Sequence, residues 1–442
     1  MDVNRRSLRS DFIRYTTATI ASLMVFSLYS IVDGLFVSHG VGEYAMTAVN
    51  LSLPYTNVLF SIAVIFAVGT STIVSIYLGE GKGERANSLF SQNFCVLLTI
   101  GLVVTVFVLC LAEPLARLLG AEGTILPYAV DYLTGLAPFS VCCIISYNLE
   151  ILIKTDGFPR LALITVIIGC LTNCVLDYLA IFVLDLGIWG AATATGISQL
   201  VTCVIYLRHF LGRRSTFHLT RFRFDAKIYR RLIPIGISDG VTELCNGLMI
   251  FLFNRTILRC IGEDGLVSYT VIAYLNTLII NVLMGISQGM QPLVSFQYGR
   301  RDSSKIRTLL RYGLLTTAAV TVVFLLAIYL FTLQIVTVFL GADNLTLNAQ
   351  TVSALHRYAL CYLLLGGNVL IGGFLAAVER PRGAITISVG RGFAVQSVCL
   401  LLLAAACGGS AIWFAPAISE LLCCLLSILF LRRFWNAVDF RQ

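Results

Sequence analysis

"VGTSTIVSIYLGEG" (residues 68–81) and "QGMQPLVSFQYGRR" (residues 288–301) decide how this chain folds. Laid over one another at an offset of 220, they align Gly69 with Gly289, Val74 with Val294, Ser75 with Ser295 and Gly79 with Gly299. Upstream, the same offset pairs Gly42 with Gly262 and Glu43 with Glu263. Downstream, "LLGAE" (118–122) meets "FLGAD" (339–343) at 221, and "FPR" (158–160) meets "RPR" (380–382) at 222. Single identities mean little, but an offset of 220–222 held across three separate junctions marks an internal duplication.

What is duplicated is a set of membrane spans. The 442 residues are 58% hydrophobic and 12% charged, with a mean hydropathy of +0.88, too apolar for a surface that must meet water on all sides. Apolar runs repeatedly exceed the ~18–20 residues that cross a hydrocarbon core. Barrel strands would alternate over ~10 residues instead, so the fold class is an all-α polytopic membrane protein. Twelve spans are expected: 12–38, 46–78, 89–111, 128–153, 161–184, 187–210, 233–259, 265–297, 310–334, 352–378, 384–406 and 411–431. Arg5, Arg6, Arg9 and Arg14 precede a run too long for a cleavable leader, so the first run is expected to stay as a span. The duplication predicts two six-helix lobes, 1–211 and 233–442, joined by a loop over 212–232. Six is even, so both copies enter the membrane in the same direction, as a parallel repeat. Two such bundles facing across a cleft suit alternating access.

Orientation follows from Lys and Arg. With the amino terminus cytoplasmic, 26 of the 31 basic residues fall on inner segments, the largest group in the loop "GRRSTFHLTRFRFDAKIYRR" (212–231). Both termini are then cytoplasmic, and the expected location is the plasma (inner) membrane. The net charge of +8 is a topology signal, with no nucleic-acid partner implied. Arg391 lies inside the eleventh span and is expected to snorkel to the inner surface. The fourteen Cys sit mostly within spans without a C-x-x-C pair and read as small hydrophobes, so no metal-binding or disulfide role is expected of them.

An Asp at the centre of a span costs ~2.5–3.5 kcal/mol, so such residues are candidates for function. Asp33 stands in "YSIVDGLFVS" on the first span, and Asn173 and Asp177 in "LTNCVLDYLA" on the fifth. The latter two are four residues apart and share a helix face. Thr195 lies in "GAATATGIS" on the sixth, where small residues permit close helix approach. Counted from the basic inner flanks at 1.5 Å per residue, Asp33, Asp177 and Thr195 lie roughly 28, 26 and 20 Å deep, a common level. Two carboxylates, an amide and a hydroxyl are hard-oxygen ligands for Na⁺. Two carboxylates sharing one site equally suit a proton carrier.

Asp239 and Glu243 form a second acidic pair at i, i+4 on the seventh span, placed to attract a cationic substrate or accept a proton. Asn57, Asn148, Gln288 and Gln291 are further candidates for lining a substrate cavity. Glu150 and Lys154 read as a structural ion pair. "GEGKGE" (79–84) lacks the G-x-x-x-x-G-K-[ST] spacing of a phosphate loop, and no nucleophile–base order or metalloprotease signature appears in the spans. An enzyme is not expected, nor is a resident cofactor.

"VDGLFVSHG", "GTSTIVSIYLGEGKGERA", "QGMQPLVSFQYGRRD", "KTDGFPRLA" and the N…D pair of the fifth span resemble the multidrug and toxic compound extrusion (MATE) family. The resemblance covers essentially the whole chain. It implies a V-shaped pair of lobes that export amphiphilic, often cationic, compounds in exchange for H⁺ or Na⁺. Carried over by position, the family's amino-lobe cation site falls on Asp33, Asn173, Asp177 and Thr195, with a backbone carbonyl at Ala191. A monomer is expected. One departure stands out: the tenth span has no acid before Glu379, which argues against a second, carboxy-lobe cation site. The rival within the same superfamily is a lipid-linked glycan flippase, which usually has more helices and an Arg-rich groove.

Overall fold

The computed structural model describes residues 7–212, 214–341 and 344–437, with the side chains of Leu35, Ser38, Glu43, Glu243, Leu244 and Asn246 outside the description. The chain divides into two compact units, Met1–Gly236 and Ile237–Gln442.

The first unit holds α1 (Leu8–Gly40), α2 (Glu43–Gly79), α3 (Gly83–Cys110), α4 (Ala112–Leu118), α5 (Ile125–Leu136), α6 (Ser140–Thr155), α7 (Pro159–Tyr178) and α8 (Gly187–Phe210). The long helices follow from apolar runs in which hydroxyls do not compete for structure. In α1, Thr16, Thr19, Ser22, Ser27 and Ser30 each donate to the carbonyl four residues back, which satisfies them without water. A 3₁₀ turn at Ala137–Phe139 separates α5 from α6, where Pro138 cannot continue the α-helical ladder. A π-helical turn, Leu179–Val183, follows α7 directly. The core gathers Tyr55, Leu59, Leu133, Leu136, Ile144 and Ile188. Around it α1 packs on α7, α2 on α6, and α5 on α8.

The second unit takes α9 (Tyr229–Cys260) from Ile237 onward. It continues with α10 (Glu263–Gly299), α11 (Ser303–Leu340), α12 (Leu345–Ala359), α13 (Tyr362–Ala377), α14 (Pro381–Val389), α15 (Val395–Cys407) and α16 (Ala415–Ala437). A π-helical turn at Gly390–Ala394 separates α14 from α15. Phe253, Ile272, Leu355, Tyr362, Leu400 and Ile412 form the core.

The repeat is written in the backbone. α2 and α10 are both 37 residues long and begin 220 apart. Left-handed φ recurs at matched offsets: Gly42 and Gly262, Gly81 and Arg301, Gly120 and Gly341, Gly157 and Glu379. Glycine holds these turns without cost, whereas Arg301 and Glu379 hold the same turns with a Cβ. α3 and α11, equivalent by position, are the least buried of the spanning helices, and present rows such as Leu102, Val106 and Leu326, Leu330 outward, as lipid-facing helices do.

Among the described residues eleven helices are long and apolar enough to cross a membrane, and α12 with α13, bent by 42°, makes a twelfth if the pair counts as one span. The tenth span is thus broken where the sequence predicted one run over 352–378. Its break at 360–361 lies 222 residues beyond that of α5 and α6, so this bend belongs to the repeat. The 212–231 segment also departs from a plain connector. It is docked on α3, with Thr220 N–H donating to Ser91 Oγ at 2.9 Å and Asp225 exchanging two backbone bonds with Gln92. Phe217 is fully buried against Phe90 and Phe210. The linker therefore belongs to the first unit.

Candidate cation and substrate sites

α7 carries Asn173 and Asp177 one turn apart, 1% and 0% exposed. α8 runs closely alongside α7, where Gly169 admits Thr202: a Cβ on Gly169 would lie 2.5 Å from Thr202 Cγ2. That approach brings Thr195 to Asn173. Oriented to satisfy its neighbours, the Asn173 amide donates from Nδ2 to Asp177 Oδ2 at 2.7 Å, and its Oδ1 accepts from the Thr195 N–H at 3.2 Å. In the helix that N–H is the donor for the Ala191 carbonyl, so sharing it leaves Ala191 acceptor capacity. From α1, Asp33 lies beside Asp177, and Tyr29 lies beside Thr195. Asp177 Oδ1 is buried and has no hydrogen-bond partner among the described residues. An orphaned buried carboxylate oxygen, beside a second acid and ringed by an amide and a hydroxyl, is a place where a small cation or proton fits.

The four residues chosen at a common depth therefore meet in one site. Tyr29 belongs with them and was missed, because a phenol in an apolar helix reads as packing; its i, i+4 spacing to Asp33 is the signal. Among the described residues no group of three or more His, Cys, Asp or Glu could hold a metal, so the two-carboxylate set suits a monovalent cation better than a transition metal. Glu150 and Lys154 pair at 2.7 Å as expected.

The proposed cavity residues scatter. Asn57 is exposed on α2. Asn148 is buried, accepting from Asn93 at 3.2 Å and donating toward the Ala63 carbonyl, and so ties α2, α3 and α6 together. Asp239, Gln288 and Gln291 do come together, lining a small cavity in the second unit. There Gln291 Nε2 donates to Asp239 Oδ2 at 3.3 Å. The Glu243 side chain lies outside the described residues.

Arg391 corrects the sequence reading. It is buried at 8% exposure and lines that cavity, with Nε donating to Glu420 Oε1 at 3.3 Å. Snorkelling is a solution for a cation without a partner, and Glu420 on α16 supplies one. Glu420 in "APAISELLCC" was equally legible as an acid within a span, but pairing it with Arg391 needs the fold.

A family model described as MatE matches residues 18–179 and 240–398, most of both halves. The multidrug export protein MepA of Staphylococcus saprophyticus is 24% identical over 413 residues, covering 92% of this chain and 90% of the relative. MepA of Staphylococcus haemolyticus is 25% identical over 419 residues with the same coverage. Among solved structures, an outward-facing multidrug resistance MATE family transporter of the MOP superfamily superposes with a TM-score of 0.91 at 21% identity, over 98% of this chain and 97% of that one. The all-helical, multi-span fold is thus that of MATE structures. On the match of the family model to both halves, the chain belongs to the MatE family, as a multi-pass membrane transporter and not an enzyme.

Proposed function

We propose that the protein exports amphiphilic, chiefly cationic small molecules across the membrane in exchange for H⁺ or Na⁺, with both termini cytoplasmic. The coupling cation is cargo, held by Asp33, Asn173, Asp177, Thr195 and the Ala191 carbonyl. The observation that carries this reading is the orphaned Asp177 Oδ1, buried against the second acid Asp33. Without a cation, two ionised carboxylates repel in a medium that screens them poorly. A proton or Na⁺ between them removes that repulsion and draws α1 and α7 together. A cation can drive transport only by binding one conformation more tightly than another. A site divided between α1 on one side and α7 and α8 on the other has that property, because a movement of α1 changes the number of oxygens within reach.

The test is reconstituted efflux under separately imposed pH and Na⁺ gradients. Asp177→Asn and Asp33→Asn are expected to lower gradient-driven export by about 100-fold, the scale of losing one charged ligand, while the protein still inserts normally. Unchanged export in either variant, or in the wild type with neither gradient present, overturns the reading.

A further inference from the structure

Within the first unit, α1, α6, α7 and α8 enclose a cavity with room for about three waters. One end is walled by Tyr29, which lies beside Thr195, Asp33 and Asp177. The other end is walled by Glu150 and Tyr206, toward the basic helix ends that carry Arg160 and Arg208. Gln199 and Tyr206 both line it and are separated by about 10 Å of helix rise, so the cavity is elongated along α8. Its walls offer water several polar partners. Gln199 Oε1 accepts from Ser146 Oγ at 2.6 Å, which leaves the Nε2 donors of Gln199 without a described partner. Glu150 Oε1 accepts from Lys154 Nζ at 2.7 Å, its Oε2 bonds no described residue, and its side chain is 20% exposed. Among the described residues Glu150 is the only carboxylate in the wall, and Tyr147, Cys170 on α7 and Tyr206 on α8 are the titratable groups that face it.

The duplication sets this space apart from its counterpart. "ITVIIG" (164–169) lies on "ITISVG" (385–390), and "ISQL" (197–200) on "ISEL" (418–421), both at an offset of 221. Cys170 thereby corresponds to Arg391, and Gln199 to Glu420. In the second unit those two close on one another as the buried ion pair, Nε to Oε1 at 3.3 Å. "NLEI" (148–151) on "NVLI" (368–371) sets Glu150 opposite Leu370, which is fully buried. One copy of the repeat thus fills the space with an ion pair and a leucine. The other lines it with neutral polar groups and puts an acid at its end, next to the cation site.

We propose that this cavity holds a short file of waters that carries protons between Glu150 and the Asp33–Asp177 pair, a path from the cation site to the basic end of the first unit. A proton crosses such a file by exchange: each water, and the Tyr29 phenol, accepts one proton and passes on another. One proton leaves Glu150 and one arrives on Asp177, and every group between them ends as it began. A metal cation would have to move bodily, with a shell of oxygens at every step, and a space of this size does not supply one. Gln199 and Ser146 are positioning residues that orient the waters and exchange no proton themselves. The inference rests on the export reading and assigns H⁺ to this route.

The experiment uses the full chain in liposomes, with ethidium as the exported probe and trapped pyranine reporting protons. In wild type, ethidium export under an imposed pH gradient should move protons the opposite way. Glu150→Gln and Gln199→Leu should each slow both fluxes by about 100-fold, the lower end of what a placed proton-transfer group contributes. In Gln199→Leu the Ser146 hydroxyl keeps its bond to the Cys143 carbonyl at 3.1 Å, so α6 retains that tie. A second measurement separates a path from a packing role: ethidium binding at equilibrium across pH, in detergent. A path sets how fast protons arrive and not how many are bound, so the pH midpoint of Gln199→Leu should stay at the wild-type value. Wild-type flux in either variant overturns the proposal, as does a midpoint that moves with the rate, or wild-type export that carries no protons. If Glu150→Gln fails to fold, Gln199→Leu alone decides. Fast Gln199→Leu beside an inactive Asp177→Asn removes only the water file; an active Asp177→Asn, or no ethidium export by wild type, removes the export reading and the file with it.

Discussion

Asn173 carries no charge, yet the position of Asp177 depends on it. Its amide spans from the Asp177 carboxylate to the α8 backbone, with one donor and one acceptor used in a buried place. Replacing it by Leu keeps the volume and leaves Asp177 without its charge-assisted partner. On the export reading, Asn173→Leu should raise the Na⁺ concentration, or shift the pH midpoint, needed for half-maximal exchange by about 10-fold, with folding little affected. An unchanged cation dependence would reduce Asn173 to a tie between helices. That Asn173 and Asp177 share a face was legible from their spacing. Which atoms of the amide face which neighbours was not, because that depends on how near α8 comes.

At the level of elements, the packing of α8 on the 3₁₀ turn Ala137–Phe139 is governed by Gly196. Its missing Cβ would lie 2.1 Å from Phe139 Cδ2 and 2.8 Å from Phe139 Cβ, so the neighbour cannot escape by rotating its ring alone. Gly196→Ala is expected to cost about 1–3 kcal/mol, seen as a lower unfolding temperature in detergent, and Phe139→Ala in the same chain should recover part of it. A fall in stability that Phe139→Ala does not touch would place the strain elsewhere. The "GAATATGIS" composition announces close packing, but the partner is supplied by the 3₁₀ turn after α5. That turn, and the bend between α12 and α13, went unread because a broken span has the same hydropathy as a continuous one. Pro138 marks the first break; the second has no proline and is legible only through the repeat.

For the molecule as a whole, the linker between the units is anchored on one side. Phe217 packs at 5.8 Å from Phe90 and 6.5 Å from Phe210, centroid to centroid, and Asp156 Oδ1 accepts from the Thr216 N–H at 2.7 Å. Phe217→Ala should cost about 3 kcal/mol or more where the ring is buried, enough to undock the segment. The expected result is faster tryptic cleavage at Arg214, Arg221 and Arg223, with the membrane units intact. Cleavage at the wild-type rate would show that the ring does not hold the loop.

Hydropathy and the offset of 220 determined the all-α class and the expectation of two repeated halves, because each is a property of the chain measured along its own length. The depth of Asp33, Asp177 and Thr195 is likewise a linear quantity, which is why these residues and Asn173 could be grouped from the sequence. Arg391 shows the limit. Its eventual partner stands 29 residues later on another helix, and a π turn rotates it off the regular helical register. Whether a buried charge reaches for water or for an acid is decided by which helices pack together. That is a fact of tertiary structure, since the electrostatic interaction that selects the partner depends on distance in space and not along the sequence.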